Sequence, residues 1–450
     1  MVVVQASKIN LPTPSSSLSS SSSKTPTSLL FEPHSFSLAL FHSDSSLSLF
    51  PSISFPFSSH QKSLTIPPPS SSFTFLLLQK TQQNPNPRVL FIVSSPYKGG
   101  SKVLLRFFLY RNDGSKVFEK AKVVSKQKGI EFDDKVGVLI DVSHGLKVMI
   151  VGSVNFFALY SVSSSTVFIF GVKLVGNDEG DDGVAVKLMK CAMIDCLKPV
   201  FSMCMSFEWL VLGEENGVKV WHLRELVKGR KVRRVKNSGL SNGVIGDNEG
   251  IFSGGSSSSE IVCNGDFDGK IEKHSVSVKQ MPGKFRQKSA GACFVAFEKG
   301  EVKGLTSANG PFMSIKAISI QPLSSKKFLI LNSAGNLSVL HVLNNAVGLN
   351  ITFHMRSLPH VLKVQKLAVL PDISSRRQTV WISDGYHSVH MVDISSAFNE
   401  NVKRESEEKL MQISVCHAIF SSEKIQDMIP TAENSILILG QGSLYAYTIS

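Results

Sequence analysis

Residues 207–223, FEWLVLGEENGVKVWHL, decide the fold. Trp209-Leu210-Val211-Leu212 is an unbroken apolar run, the pattern of a strand covered on both faces rather than one lying half in water. Asn216-Gly217 then supplies a turn, since both residue types tolerate the positive φ that a tight hairpin needs. The return strand Val218-Lys219-Val220-Trp221-His222 alternates and closes on Trp221, a ring large enough to pack between neighbouring sheets.

The pattern recurs. SSLSLFP from Ser45, DGSKVFE from Asp113, STVFIFG from Ser165, GKIEKHS from Gly269, GNLSVLH from Gly335, HSVHMVD from His387 and GSLYAYT from Gly442 repeat it in degenerate form. Trp221 then corresponds to Phe50, Phe118, Phe170, His274, Leu340, Val392 and Tyr447, and five of the seven intervals are 51 to 55 residues, the others 66 and 68. A fixed period marks a repeat architecture. Second strands precede most matches, among them FSLALF from Phe36, KVLLRFFLY from Lys102, FFALYSV from Phe156, KFLILN from Lys327, TVWIS from Thr379 and SILIL from Ser435. Inner or outer strands fill most gaps, as in VGVLIDV from Val136 and KVQKLAVL from Lys363. Four short strands per period make the blade of a propeller, with a plain β-sandwich as the alternative.

The expected fold is therefore all-β, a β-propeller of seven to eight four-stranded blades. The chain ends on GSLYAYTIS, a third strand whose blade lacks a fourth, and MVVVQASKI at the other end suits that place, closing the ring over an otherwise unpaired edge. Residues 1–26 are also Ser-rich and acid-poor, the composition of a plastid transit peptide, and that alternative stays open. Residues 27–450 form the propeller. Two segments are expected to interrupt it: Ile53 to Pro87, with a strand at Phe73 to Gln79, and a disordered basic, Gly- and Ser-rich insertion at 229–259.

With 450 residues the chain is ample for one large ring, and its formal charge of +13 points to acidic partners: acidic protein surfaces, nucleic acid or anionic membrane. Six cysteines without a CxxC pair read as small buried hydrophobes of a reduced compartment. No apolar run is long enough to span a membrane. GNDEGDDG from Gly176 lacks the spacing of an EF-hand and reads as a solvated loop.

The strongest short functional signal is basic. Lys228, Arg230, Lys231, Arg233, Arg234 and Lys236 place six cations in nine residues, as candidate contacts to an acidic partner, nucleic acid or an import receptor. The bland reading is an edge strand whose charges discourage aggregation. For catalysis the signals are poor: the histidines are scattered, and His387 and His390, at odd spacing on a strand, point to opposite faces. No nucleophile elbow, P-loop or HExxH occurs. No catalytic residue, metal or cofactor is assigned.

The hairpin resembles the last part of a WD40 repeat, in which glycine, a small residue and alternating aliphatics lead to tryptophan and aspartate; His222 stands at the aspartate. The resemblance covers about residue 27 to the end, with one Trp at the repeat position and no Gly-His pair opening the blades. It implies a non-enzymatic platform or adaptor subunit, nuclear or cytoplasmic, holding protein partners on one face and the rim. Trp221-His222-Leu223-Arg224 also resembles the WDxR box by which some WD40 proteins, as substrate receptors, dock on the adaptor of cullin-RING ubiquitin ligases. That implies Trp221 and Arg224 as docking residues. A metal-dependent propeller hydrolase is the remaining alternative.

Overall fold

A strand with apolar residues on both faces requires a neighbour on each side, and in the computed structural model of this chain every blade has two. The structure describes residues 4–9, 24–53, 63–79, 87–112, 114, 116–133, 135–142, 146–175, 185–206, 208–228, 233–236, 292–297, 314–344, 351–358, 362–370, 379–394 and 414–450. They form seven sheets, each a blade.

From axis to rim, blade 1 is Pro26–Glu32, Ser37–His42, Leu47–Phe50 and Leu64–Ile66. Blade 2 is Ser72–Leu78, Arg88–Tyr97, Lys102–Arg111, Gly137–Asp141 and Ile130–Asp133, with Val117–Lys120 paired beside the far end of the third strand. Blade 3 is Val148–Gly152, Phe156–Ser161, Thr166–Val175 and Ala185–Asp195. Blade 4 is Ser202–Ser206, Trp209–Glu214, Gly217–His222 and Cys293–Ala296. Blades 5 and 6 are Ala317–Ser324, Lys327–Asn332, Leu337–Asn344, Ile351–Leu358 and Lys366–Val369, Thr379–Ser383, Ser388–Asp393, Ser414–Phe420. Blade 7 takes Asp427–Ala432, Ser435–Leu439 and Leu444–Ile449 from the end of the chain and Val4–Ile9 from its start. Val4 pairs with Ile449 and Ile9 with Leu444, which closes the ring as the sequence leads one to expect.

The core is divided among the blade interfaces: seven separate apolar layers, one between each pair of neighbours including blades 7 and 1. This explains the unbroken apolar runs. In the deciding hairpin Leu210 and Leu212 pack toward blade 3 with Trp221, while Trp209 and Val211 pack toward blade 5, where the Trp209 ring meets Phe353 edge-on at 5.8 Å. Asn216 takes φ +62° in the turn, and its amide N–H and side-chain oxygen bond the backbone of Ile315, fastening the turn to the start of blade 5. Gly213 serves close approach: a Cβ there would lie 2.5 Å from the Ala317 carbonyl oxygen, which already accepts the Ser202 hydroxyl at 2.7 Å.

The rims differ. Ala185–Asp195 of blade 3 is covered on its outer side by two parallel strands, Lys122–Val124 along one half and Arg233–Lys236 along the other. Between them the Gln127 side-chain amide acts as a further strand residue, donating to the Lys190 carbonyl at 3.1 Å and accepting from the Lys190 N–H. Blade 6 ends on Ser414–Phe420, SVCHAIF, the outermost strand of its sheet among the described residues.

The seven sheets among the described residues agree with the expected seven to eight blades, and the eighth hairpin, with His274, lies outside those residues. Several expectations need correction. Ile53 to Pro87 does not merely interrupt the ring, since it supplies the last strand of blade 1 and the innermost of blade 2. Lys102–Arg111 is the third strand of blade 2 rather than its second, and Phe118 sits on a short added strand, so the repeat register slips there. Residues 176–183 also lie outside the description, as do 229–232 and 237–259 of the basic insertion; Arg233–Lys236 is a strand.

Candidate functional site

Seven innermost strands surround an axial channel of about 620 Å³. Most of its lining is apolar, with Phe75, Ile150, Met205 and Leu367 contributing from different blades. Two carboxylates belong to it. Asp427, in the innermost strand of blade 7, accepts the Leu29 N–H of blade 1 at 2.8 Å; burial pushes its pKa up, opposed by that bond and by Lys366. It stitches the closure between first and last blades.

Glu32, at the mouth opposite the inter-blade connections, is buried and accepts the Ser35 N–H at 2.7 Å, the Ser35 hydroxyl at 2.6 Å, the His34 N–H at 3.0 Å and His34 Nδ1 at 2.9 Å. Four partners saturate that carboxylate, so it holds a turn rather than a reacting proton. Among the described residues no group of three or more His, Cys, Asp or Glu could hold a metal, and no helix is long and apolar enough to cross a membrane.

The ring's outer face is more informative. Antiparallel strands within each blade place the inter-blade connections and the second-to-third-strand turns on one face. Five consecutive connections, from blade 2 through blade 7, each carry a lysine: Lys147, Lys198, Lys316, Lys363 and Lys424. Four are exposed and Lys316 is half-buried. None has an ion-pair partner among the described residues, and three lie over rings instead: Lys198 over Phe294 at 5.6 Å, Lys316 over Phe201 at 4.9 Å and Lys424 over Tyr386 at 5.4 Å.

Two acids on this face, Asp384 and Glu423, are already engaged. Burial would raise the pKa values of Asp384 and Glu423, but bonds from Tyr386 and Ser388, and from Ser443, Gly442 and Tyr445, hold both below the usual carboxylate range. Apolar side chains lie open among the cations: Leu146 is 59% exposed, Leu197 68%, Tyr386 55% and Phe420 76%.

The residues singled out from sequence are dispersed. Trp221 is buried between blades 3 and 4, its Nε1 without an acceptor among the described residues, and Lys219 lies over its ring at 5.7 Å. Arg224, in the short helix Leu223–Val227, is 69% exposed, with Nη2 3.7 Å from Glu208 Oε1. Lys228 pairs with Glu225 at 2.5 Å. Arg233, Arg234 and Lys236 belong to the strand added to blade 3, and Arg230 and Lys231 lie outside the described residues. Sequence reasoning missed the lysines of the connections because single lysines in turns are ordinary. Counting one per blade boundary would have found them.

No protein-family model matches the chain, and no curated protein does. Solved structures are similar in architecture. The RRP9 WD40 repeats match at 8% identity and TM-score 0.39, over 99% of this chain and 97% of that one. The Myceliophteria thermophila Cps50 (Swd1) β-propeller domain matches at 8% and 0.44, over 95% and 98%. Saccharomyces cerevisiae Sqt1 matches at 9% and 0.40, over 92% and 79%. The architecture itself stands on the seven sheets of this chain.

Proposed function

We propose that this propeller is a non-enzymatic scaffold that holds an acidic polypeptide partner on the face of its inter-blade connections, in the nucleus or cytoplasm. The observation that carries the reading is the set of five lysines without ion-pair partners among the described residues, one at each of five consecutive blade boundaries. Cations spaced round a rigid ring set a field that attracts negative charge, while Leu146 and Leu197 offer the apolar contact that gives a protein interface its strength. Lysine without arginine at these boundaries favours a polypeptide over bidentate phosphate recognition. The basic run of Lys228, Arg230, Lys231, Arg233, Arg234 and Lys236 is a further candidate contact, for an acidic partner or an import receptor.

A second reading is favoured by the exposure of Arg224: a substrate receptor docking on a ubiquitin-ligase adaptor through Arg224, with Trp221 holding the strand end. Affinity purification with mass spectrometry separates the two. A quadruple variant, Lys147→Ala, Lys198→Ala, Lys363→Ala and Lys424→Ala, should lose proteins bearing acidic segments that wild type and Arg224→Ala retain, and raised salt should weaken their recovery. A cullin adaptor lost only from Arg224→Ala would favour the receptor. Nuclease-sensitive recovery would replace the polypeptide by nucleic acid, and unchanged recovery in every variant would sink the lysine face.

A further inference from the structure

Arg106 lies on the third strand of blade 2 in alternation with Phe108, and so faces blade 1 beside the aromatic layer of Phe75, Phe91, Phe108 and Phe118. Its guanidinium is half-buried, and all its bonds run through one nitrogen: Nη2 donates to Ser95 Oγ at 3.0 Å and, at the long end of the range, to the Pro67 carbonyl at 3.4 Å and Ser70 Oγ at 3.5 Å. Nε is buried without an acceptor, and no carboxylate pairs with the group among the described residues. Its neighbours on the strand are treated differently, since Lys102 pairs with Glu131 and Asp141, and Arg111 with Glu119. A partly desolvated cation that meets only neutral oxygens gains from an opposite charge brought beside it.

The surroundings supply donors. Ser70 and Ser95 are buried, each hydroxyl accepts from Arg106, and neither has another acceptor among the described residues, so both O–H groups remain to be placed. The Ser70 N–H is held by the Ser45 carbonyl at 2.9 Å, which fixes the connection beside Arg106. This connection, 67–71, carries no lysine.

We propose that the seam between blades 1 and 2 at Arg106 is a binding site for one tetrahedral oxyanion of the phosphate or sulfate type, held by the Arg106 guanidinium and the hydroxyls of Ser70 and Ser95. Ser95 Oγ and Ser70 Oγ lie 3.0 and 3.5 Å from one guanidinium nitrogen, so donors from a third strand, a second strand and a connection are near enough to share one ion, and donors from three elements suit a tetrahedral ion better than the single flat edge a carboxylate offers. The site goes beyond the scaffold reading, since substituting Arg106 leaves the five lysines in place.

The test is calorimetric titration of the full chain with inorganic phosphate, sulfate and, at matched ionic strength, acetate, for wild type, Arg106→Met and Ser95→Ala. Wild type should bind phosphate and sulfate saturably, Arg106→Met at least tenfold more weakly and Ser95→Ala by an intermediate factor, with acetate inert. Arg106→Met removes an uncompensated charge at similar volume and should melt no lower than wild type without anion; should it unfold instead, Ser95→Ala, which keeps the charge, decides. Sulfate stabilises proteins generally, so only the difference between variants counts. O-phosphoserine binding as tightly as phosphate identifies a phosphorylated polypeptide as the source, and its exclusion identifies the free ion. Equal affinity in wild type, Arg106→Met and Ser95→Ala, no saturable binding, or binding of acetate alone would each overturn the site.

Discussion

The rim of blade 3 and the rim of blade 6 solve the same problem in opposite ways. An outermost strand presents a row of unpaired backbone groups to which another chain can add. In blade 3 that row is taken up by Lys122–Val124, Arg233–Lys236 and the Gln127 amide, all from elsewhere in the chain. In blade 6 no further strand pairs with Ser414–Phe420 among the described residues, and the strand carries no lysine, glutamate or proline. Rim protection is thus a local, separately supplied feature, while the apolar layers behind the rims repeat all round the ring.

If that separation holds, the largest effects lie behind the rims and are equal. Ile194→Ala in blade 3 and Ile419→Ala in blade 6, both buried, should each cost ~2–4 kcal/mol in denaturant unfolding. A cost for Ile419→Ala below ~1 kcal/mol would mean that the open strand is loosely docked, and the contrast would then be one of packing. Gln127→Leu comes next: it leaves the Lys190 N–H and C=O unpaired and should cost ~1–2 kcal/mol, with faster hydrogen exchange at the Lys190 amide. No single side chain in blade 6 should have that effect. Smallest in stability are Val415→Lys and Phe420→Lys, expected within ~0.5 kcal/mol of wild type, because both side chains are exposed. Their effect should appear in light scattering at high concentration, as less self-association than wild type. Equal scattering would show that the open edge is not adhesive.

The hairpin from Trp209 to His222 could be read from sequence because its alternation, turn and closing aromatic are local, and the two-sided apolar runs already implied neighbours on both faces. Blade 2 was misread for the same reason. Lys102–Arg111 and Val117–Lys120 are joined by a plausible turn, and nothing local tells that Arg88–Tyr97 has already taken the second place. The partners of Arg106, at Pro67, Ser70 and Ser95, and the partner of Gln127, at Lys190, were beyond reach, because each contact joins strands or connections whose adjacency exists only after folding. Sequence placed a basic run at Lys228 to Lys236. It did not show that Arg233–Lys236 would be laid against blade 3 as a strand.

The pairing of Val4–Ile9 with Leu444–Ile449 also sets a clock. At ribosomal rates of about 5–20 residues per second, roughly 20–90 s separate the synthesis of the two halves of blade 7. The first strand must wait that long for its partner, and six blades can be in place before the seventh is complete. Length adds little thermodynamic penalty to this step, since each doubling of a loop costs only about 0.6 kcal/mol in closure entropy. Its burden is exposure: for that interval a newborn chain carries the lone strand Val4–Ile9 and the uncovered apolar face of blade 1, and is then most open to strand addition by a neighbour on the same message.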